Sequence, residues 1–140
     1  MKKLFLFLTV TSFLIICSCS EEKKELKIES LTAFAYDVDT TWELTATAVV
    51  SGFETEETDN NKSIRLSYYV DLVSPSGQLL EQVSDGLADE TMDLDSENAN
   101  IETQLWLDDE FETGNYKLIF HVTDDLSSSE TKDTTDFVLE

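Results

Sequence analysis

Apolar and polar side chains alternate with a period of two from about residue 34 to the C-terminal end, the pattern of strands with one buried face. No segment shows a helical stripe of useful length. We therefore expect an all-β domain. Its predicted inward-facing sets are Phe34, Tyr36 and Val38; Trp42, Leu44, Ala46, Ala48 and Val50; Ile64, Leu66, Tyr68, Val70 and Leu72; Ile101, Thr103, Leu105 and Leu107; Tyr116, Leu118, Phe120 and Val122; and Phe137 with Leu139.

Turn signals separate these runs. The segment 74–77 contains the single proline, Pro75, and ends in Gly77, which predicts a turn into a shorter strand at 79–83. Asp85-Gly86 predicts another turn. Residues 87–100 are polar and acidic, and we expect a loop there with at most a short edge strand, and a second loop at 124–132. Seven or eight short strands in residues 30–140 predict an antiparallel β-sandwich.

The C-terminal third carries a more specific resemblance. Residues 111–118 (FETGNYKL), 122–125 (VTDD) and 137–139 (FVL) resemble the last two strands of bacterial Ig-like or fibronectin III-like modules. The resemblance implies that Gly114 lets the chain pass between sheets, and that Tyr116 packs its ring inside while its hydroxyl caps a backbone group. The predicted fold class is thus an Ig-like antiparallel β-sandwich of seven to eight strands, a fold shared by domains of many functions.

The N-terminal segment reads as an export signal. Lys2 and Lys3 precede an apolar stretch at 4–16 that is too short for a transmembrane helix but suits a signal peptide. The stretch ends in Ile16-Cys17-Ser18-Cys19, which resembles a bacterial lipobox with Cys19 as the lipidated residue. Cys17 fits worse, because Ile16 would then occupy the place of the small residue before the cysteine. A plain secretory signal and an uncleaved anchor are the alternatives.

This resemblance divides the chain into a lipoprotein signal peptide at 1–18, a charged tether at 19–29 and a domain at 30–140. Ser20-Glu21-Glu22 resembles the acidic export tags of surface lipoproteins in the Bacteroidetes group. We therefore expect an outer-membrane lipoprotein that contacts the membrane through Cys19 and faces outward. An ordinary charged linker on a periplasm-facing lipoprotein is the alternative.

Charge restricts the classes of partner. The chain has 30 acidic and 9 basic residues, a net charge of −21, and loss of Lys2 and Lys3 makes it two units more negative. Such a charge disfavours nucleic acid and anionic lipid head groups as partners. It suits solubility, a cation or a basic partner.

Catalytic signals are few. If Cys17 is removed and Cys19 is lipidated, no thiol remains for catalysis or for a disulfide. His121 is the only histidine, and the alternation predicts that it faces solvent. No partner for it is identifiable from the sequence, which favours a structural role. Phosphate-binding loops and nucleophile elbows are absent from the sequence. Paired carboxylates of a glycosidase would need a larger cleft than a bare sandwich offers. We expect that the protein is not an enzyme and binds no cofactor. A calcium ion is the one candidate exception.

Calcium is suggested by Asp93, Asp95 and Glu97, which place oxygen donors at alternate positions, as calcium loops do. The segment does not match an EF-hand loop at its glycine or at its bidentate glutamate. A looser site could recruit further carboxylates from Asp37, Asp39 or Asp124. A mobile, solvated loop is the default interpretation, because so many carboxylates repel one another.

Aromatic residues provide the second candidate site. By alternation Trp106 points away from Leu105 and Leu107, and near Tyr69 it could stack on sugar rings or anchor a protein partner. The interpretation that we favour from the sequence is that residues 105–107 lie under a loop and are all buried.

The predicted function is a lipid-anchored binding or accessory module of the cell envelope or surface that recognises a protein or a glycan. The alternatives are a periplasm-facing structural or assembly factor and a calcium-dependent binding module.

Overall fold

The computed structural model describes residue 22 and residues 24–140. This part of the chain forms eight strands joined by turns and short loops, all paired antiparallel, which confirms the predicted fold class. No described segment forms a helix long and apolar enough to cross a membrane. The strands are β1 (Lys27–Val38), β2 (Thr41–Ser51), β3 (Glu56–Glu57), β4 (Asn61–Val73), β5 (Leu79–Asp93), β6 (Asn98–Leu107), β7 (Gly114–Asp124) and β8 (Ser129–Leu139).

The strands form two sheets. One has three strands in the order β1-β2-β6, and the other has five, in the order β3-β4-β7-β8 with β5 also paired to β4. At the two sides of the sandwich β1 lies beside β8, and β5 lies beside β6. In constant-type immunoglobulin domains the fourth strand joins the sheet of the first two strands. Here the equivalent strand is β5, because β3 is only two residues long. β5 pairs with β4 in the other sheet, so the first sheet has three strands only.

The core lies between the sheets and is built from the inward residues of the central strands β2, β4 and β7. The predicted inward sets of these strands and of β6 are confirmed, since their members are buried or partly buried against the core. The residues that are fully shielded from solvent include Leu44, Ala46, Ala48, Val50, Leu66, Val70, Leu72, Leu118 and Phe120. Apolar packing of this kind stabilises the domain by about 1.5–3 kcal/mol for each large side chain.

Strand β1 presents the opposite face from the one predicted. Leu31, Ala33 and Ala35 turn toward the core, whereas the aromatic residues of this strand are exposed. The reason is the register with β2: residues directly opposite each other share a face, and Ala33 pairs with the buried Ala46. A shift of this pairing by one residue would exchange the buried and the exposed face of β1. The prediction of an inward Phe34, Tyr36 and Val38 is therefore wrong.

The predicted loop at 87–100 is also wrong, because most of it belongs to strands. β5 runs without interruption to Asp93, and β6 begins at Asn98. Asp85-Gly86 is not a turn; Gly86 lies within β5 opposite Tyr68, and a β-carbon there would collide with the tyrosine ring. The acidic residues of β5 are tolerated because it is an edge strand whose polar side chains reach water.

Two further boundaries differ from the prediction. β1 begins at Lys27, and Leu26 and Ile28 are buried, so the end of the predicted tether at 19–29 belongs to the sandwich. The expected loop at 124–132 is a tight turn between β7 and β8, in which the Ser128 amide donates to the Asp124 carbonyl at 2.7 Å.

The carboxylate of Asp124 is fully buried and anchors this end of the sandwich. It accepts hydrogen bonds from the Glu54 amide at 2.7 Å, the Leu126 amide at 3.0 Å and the Ser127 hydroxyl at 2.8 Å. These contacts tie the segment after β2 to the turn after β7. Asp124 was one of the carboxylates considered for a loose calcium site, but both of its carboxylate oxygens already accept hydrogen bonds from these donors.

At the opposite end the Tyr116 hydroxyl donates to the Glu112 carbonyl at 2.9 Å, and its ring stacks on Phe137 with centroids 5.3 Å apart. Burial raises the pKa of Tyr116 above its usual value. Gly114 has a φ of +134°, which favours glycine at this entry to β7. The roles that the resemblance implied for Gly114 and Tyr116 are thus confirmed.

A matched pair of substitutions can distinguish the side of a sheet that is buried in the core from the side that is exposed to solvent. Phe120→Ala removes a fully buried ring that stacks on Tyr68 at 5.4 Å, and we expect it to lower the free energy of unfolding by about 3–5 kcal/mol. Phe34→Ala removes the same ring from the exposed face and should cost less than about 1 kcal/mol. Urea titrations of both variants measure the difference, and equal losses would show that the faces are assigned wrongly.

Candidate binding surface

The outer face of the three-stranded sheet carries a group of exposed apolar side chains. Phe34, Tyr36 and Val38 of β1 and Trp106 of β6 are 58%, 60%, 42% and 62% exposed, respectively. We call these four residues the aromatic face. Scattered surface hydrophobics are normal, but a cluster that includes three aromatic rings is the usual mark of a binding surface.

Cross-strand pairing defines the geometry of this face. Tyr36 pairs with Glu43, which in turn pairs with Trp106, so one row crosses all three strands. The neighbouring row consists of Phe34, Thr45 and Gln104. With strands roughly 4.8 Å apart, the backbones of Tyr36 and Trp106 are separated by about 10 Å. The rings thus stand on either side of a polar central strand.

The central strand supplies the hydrogen-bonding groups of this surface. Glu43 and Thr45 lie between the rings, and both are partly exposed. In the three strands of this sheet the only basic residue is Lys27, which lies at the far end of β1 and pairs with Glu29 at 2.8 Å. The hydrogen bond that Lys27 donates to Glu29 raises the pKa of Lys27 and lowers the pKa of Glu29. No cation of this sheet therefore neutralises Glu43.

The structure separates the two aromatic residues that the sequence proposed as neighbours. Trp106 is strongly exposed, so the burial that we favoured from the sequence is wrong. Tyr69 lies on β4, on the outer face of the other sheet, and the core of the sandwich stands between the two. Trp106 instead shares its face with β1 residues that the sequence placed inside. The available signal was that both faces of β1 are apolar, so one of them had to be exposed.

His121 has partners that the sequence did not identify, and it is only partly exposed. Its Nε2 lies 2.9 Å from Oδ2 of Asp71, and its ring stacks on Tyr69 with centroids 4.1 Å apart and planes 10° apart. The other oxygen of Asp71 accepts from the Gln82 amide at 2.7 Å, where Gln82 adopts a positive φ of 50°. The group has a structural role, because it fixes the irregular pairing of β5 with β4.

The three proposed calcium ligands are exposed and lie around the turn between β5 and β6. Asp93 ends β5, while Asp95 and Glu97 follow it before β6 begins. Among residues 22 and 24–140, no three His, Cys, Asp or Glu side chains are close enough together to hold a metal ion. Calcium binding stays a prediction. The proposed lipidation residue Cys19, and Cys17 beside it, lie outside the described residues.

A cleft of about 510 Å³ opens at the end of the sandwich near Tyr116, and two carboxylates, Glu110 and Glu112, line it. The Ser76 amide donates to Oε1 of Glu112 at 3.1 Å. Hydrogen bonds from Ser76 hold the pKa of Glu112 below its usual value. A general acid for glycoside hydrolysis requires a raised pKa. The pKa of Glu112 is shifted in the opposite direction, and its hydrogen bond from the Ser76 amide joins the loop before β7 to the turn after β4.

No protein-family model and no curated protein sequence matches this chain. Among solved structures, the structural genomics target SoR45 is similar with a TM-score of 0.45 and 6% identity, over 80% of this chain and 84% of that one. A beta-glucuronidase from Bacteroides uniformis has a TM-score of 0.49 and 11% identity, over 75% of this chain but 12% of its own. A family 123 glycoside hydrolase from Clostridium perfringens has a TM-score of 0.44 and 12% identity, over 79% and 27%. These likenesses concern the fold alone.

The role of Glu112 predicts a pH effect. Because its pKa is lowered by folding, its charged form stabilises the domain above the usual value of 4.5, and this contribution is lost as the pH falls through the lowered pKa. We expect Glu112→Gln to lower the urea midpoint at pH 7, and the difference from wild type to vanish in acid. Glu110→Gln, in the same loop, is the control. A difference for Glu112→Gln that persists unchanged in acid would contradict this.

Proposed function

We propose that this protein is a lipid-anchored binding module of the bacterial cell envelope that recognises a protein or a glycan through the aromatic face. The observation that carries the proposal is the outward position of Phe34, Tyr36 and Trp106 on a regular sheet. Such a sheet holds the rings in place before a ligand arrives, which reduces the ordering cost of binding.

Energetic reasoning supports a partner for this face. Burial of a large apolar side chain is favourable by about 1.5–3 kcal/mol, and tyrosine and tryptophan lose little conformational entropy on binding. Three aromatic side chains of this sheet are left exposed, although on β1 the inward positions 33 and 35 are occupied by alanines only. A ligand that covers the rings would recover that energy.

The anchor is proposed from the residues around Cys19. A lipid there and the short charged segment before β1 would hold the domain close to the membrane. Ser20-Glu21-Glu22 supports an outward-facing location, and a periplasm-facing assembly factor is the alternative. Calcium-dependent binding through Asp93, Asp95 and Glu97 is the other alternative, and a shift in melting temperature on addition of calcium would favour it.

A non-enzymatic role is part of the proposal. Glu112 accepts a hydrogen bond from the Ser76 amide, a contact that joins the loop before β7 to the turn after β4. His121 is held by Asp71 and covered on one face by Tyr69, which is an arrangement that stabilises the strands.

The anchor predicts the outcome of lipid labelling in cells. Cys19→Ala should abolish incorporation of a labelled fatty acid, because it removes the acceptor thiol, whereas Cys17→Ala should leave labelling intact. Labelling that survives Cys19→Ala would contradict the assignment. Protease treatment of intact cells then separates the two locations, since only an outward-facing domain is cleaved before the outer membrane is breached.

The binding face can be tested by photo-crosslinking in the cells that make the protein. Gln104→p-benzoylphenylalanine places a reactive group in the row next to Trp106, and Asn115→p-benzoylphenylalanine places it on the outer face of the other sheet. We expect an adduct from position 104 that is absent from position 115. The adduct should disappear when Tyr36→Ala and Trp106→Ala are added. Equal adducts from the two positions, or none from position 104, would refute the proposal.

A further inference from the structure

Among the possible ligands, the charge of the protein argues against an anionic one. The whole chain carries −21, and the row from Tyr36 to Trp106 contains the carboxylate of Glu43 without a basic residue beside it. A polyanion would be repelled by the protein as a whole and by this carboxylate at close range. The same argument disfavours a second copy of the chain, because stacking two such faces would bring two strongly negative molecules together.

The layout of the face also argues against the core of an ordinary protein interface. Such cores are depleted of charged residues, and a carboxylate enclosed there without a counter-charge is costly. Glu43 lies in the middle of the face, directly between Tyr36 and Trp106. The ligand must therefore cover two rings and at the same time offer hydrogen-bond donors, a positive charge or water to the group between them.

A neutral polysaccharide meets both requirements. The faces of sugar rings are apolar C–H surfaces that stack on aromatic rings, while hydroxyl groups at the ring edges donate to carboxylate, hydroxyl and amide oxygens. The separation of about 10 Å between the backbones of Tyr36 and Trp106 is on the order of the length of a disaccharide. Thr45 and Gln104 lie beside Phe34 in the next row and can bind further hydroxyl groups.

We propose that the ligand of the aromatic face is a neutral polysaccharide that crosses the strands. Its sugar rings stack on Tyr36 and Trp106, and its hydroxyl groups donate to Glu43. Because these residues lie on the exposed outer face of a sheet, the surface accepts the interior of a long chain and does not require a chain end. The inference rests on the proposed binding function and specifies the chemical class of its ligand.

The test is native affinity electrophoresis of the full-length protein in detergent, through gels that contain hydroxyethylcellulose, galactomannan or arabinoxylan. Polygalacturonate serves as the anionic comparison. We expect at least one neutral polymer, and not polygalacturonate, to slow migration. Tyr36→Ala and Trp106→Ala should each weaken the apparent affinity about tenfold, consistent with loss of one stacked ring. Glu43→Gln should weaken it severalfold, since an amide oxygen is a poorer acceptor than a carboxylate.

A matched control comes from the other sheet. Leu87→Ala combined with Val138→Ala removes two exposed apolar side chains from its outer face and should leave retardation unchanged. The inference is overturned if no neutral polymer slows the protein, or if the Tyr36 and Trp106 variants are slowed as much as wild type. In that event an adduct from position 104 in the crosslinking experiment keeps the binding function and points to a protein ligand. Absence of that adduct removes the binding function as well.

Discussion

The register of β2 between β1 and β6 is the constraint on which the rest of the structure depends. Leu44, Ala46, Ala48 and Val50 are all fully buried, so this strand has only one face that can turn toward the core. Its partners must follow, because residues paired across strands share a face. The same register that buries the small residues of β1 exposes its aromatic residues. The aromatic face and the core are thus two results of one set of hydrogen-bonded pairs.

Strands with one strongly apolar face were predictable from the sequence. In β4 and β7 the inward residues alternate mostly with polar ones, Tyr69 and Ile119 being the exceptions, and the structure confirms each set. In β1 the pattern is ambiguous, because Leu31, Ala33 and Ala35 alternate with aromatic residues and both faces are apolar. Hydrophobicity alone selects the larger side chains for the interior, whereas the pairing with β2 selects the smaller ones.

The acidic strand β5 and the pair formed by His121 and Asp71 could not be predicted for a different reason. Edge strands obtain their stability from backbone pairing and tolerate charge, so the composition of β5 resembles that of a loop. Asp71 lies 50 residues before His121 in the sequence, and only the pairing of β4 with β7 brings them together. The aromatic face has the same origin, since only the pairing of β1 and β6 with β2 places Tyr36 and Trp106 in one row, on either side of β2. The alternation pointed Trp106 outward, but the interpretation that we favoured buried it, and no local pattern indicated its neighbours.

The buried carboxylate of Asp124 also has a consequence for how the chain folds. Its bond to the Glu54 amide joins residues that are 70 positions apart, and β1 lies beside β8, the last strand. Contacts between such distant residues make folding slow. The two sheets cannot complete their common core until β8 is available. A polypeptide that crosses a membrane in the proposed way would therefore stay unfolded during passage and become compact after β8 emerges.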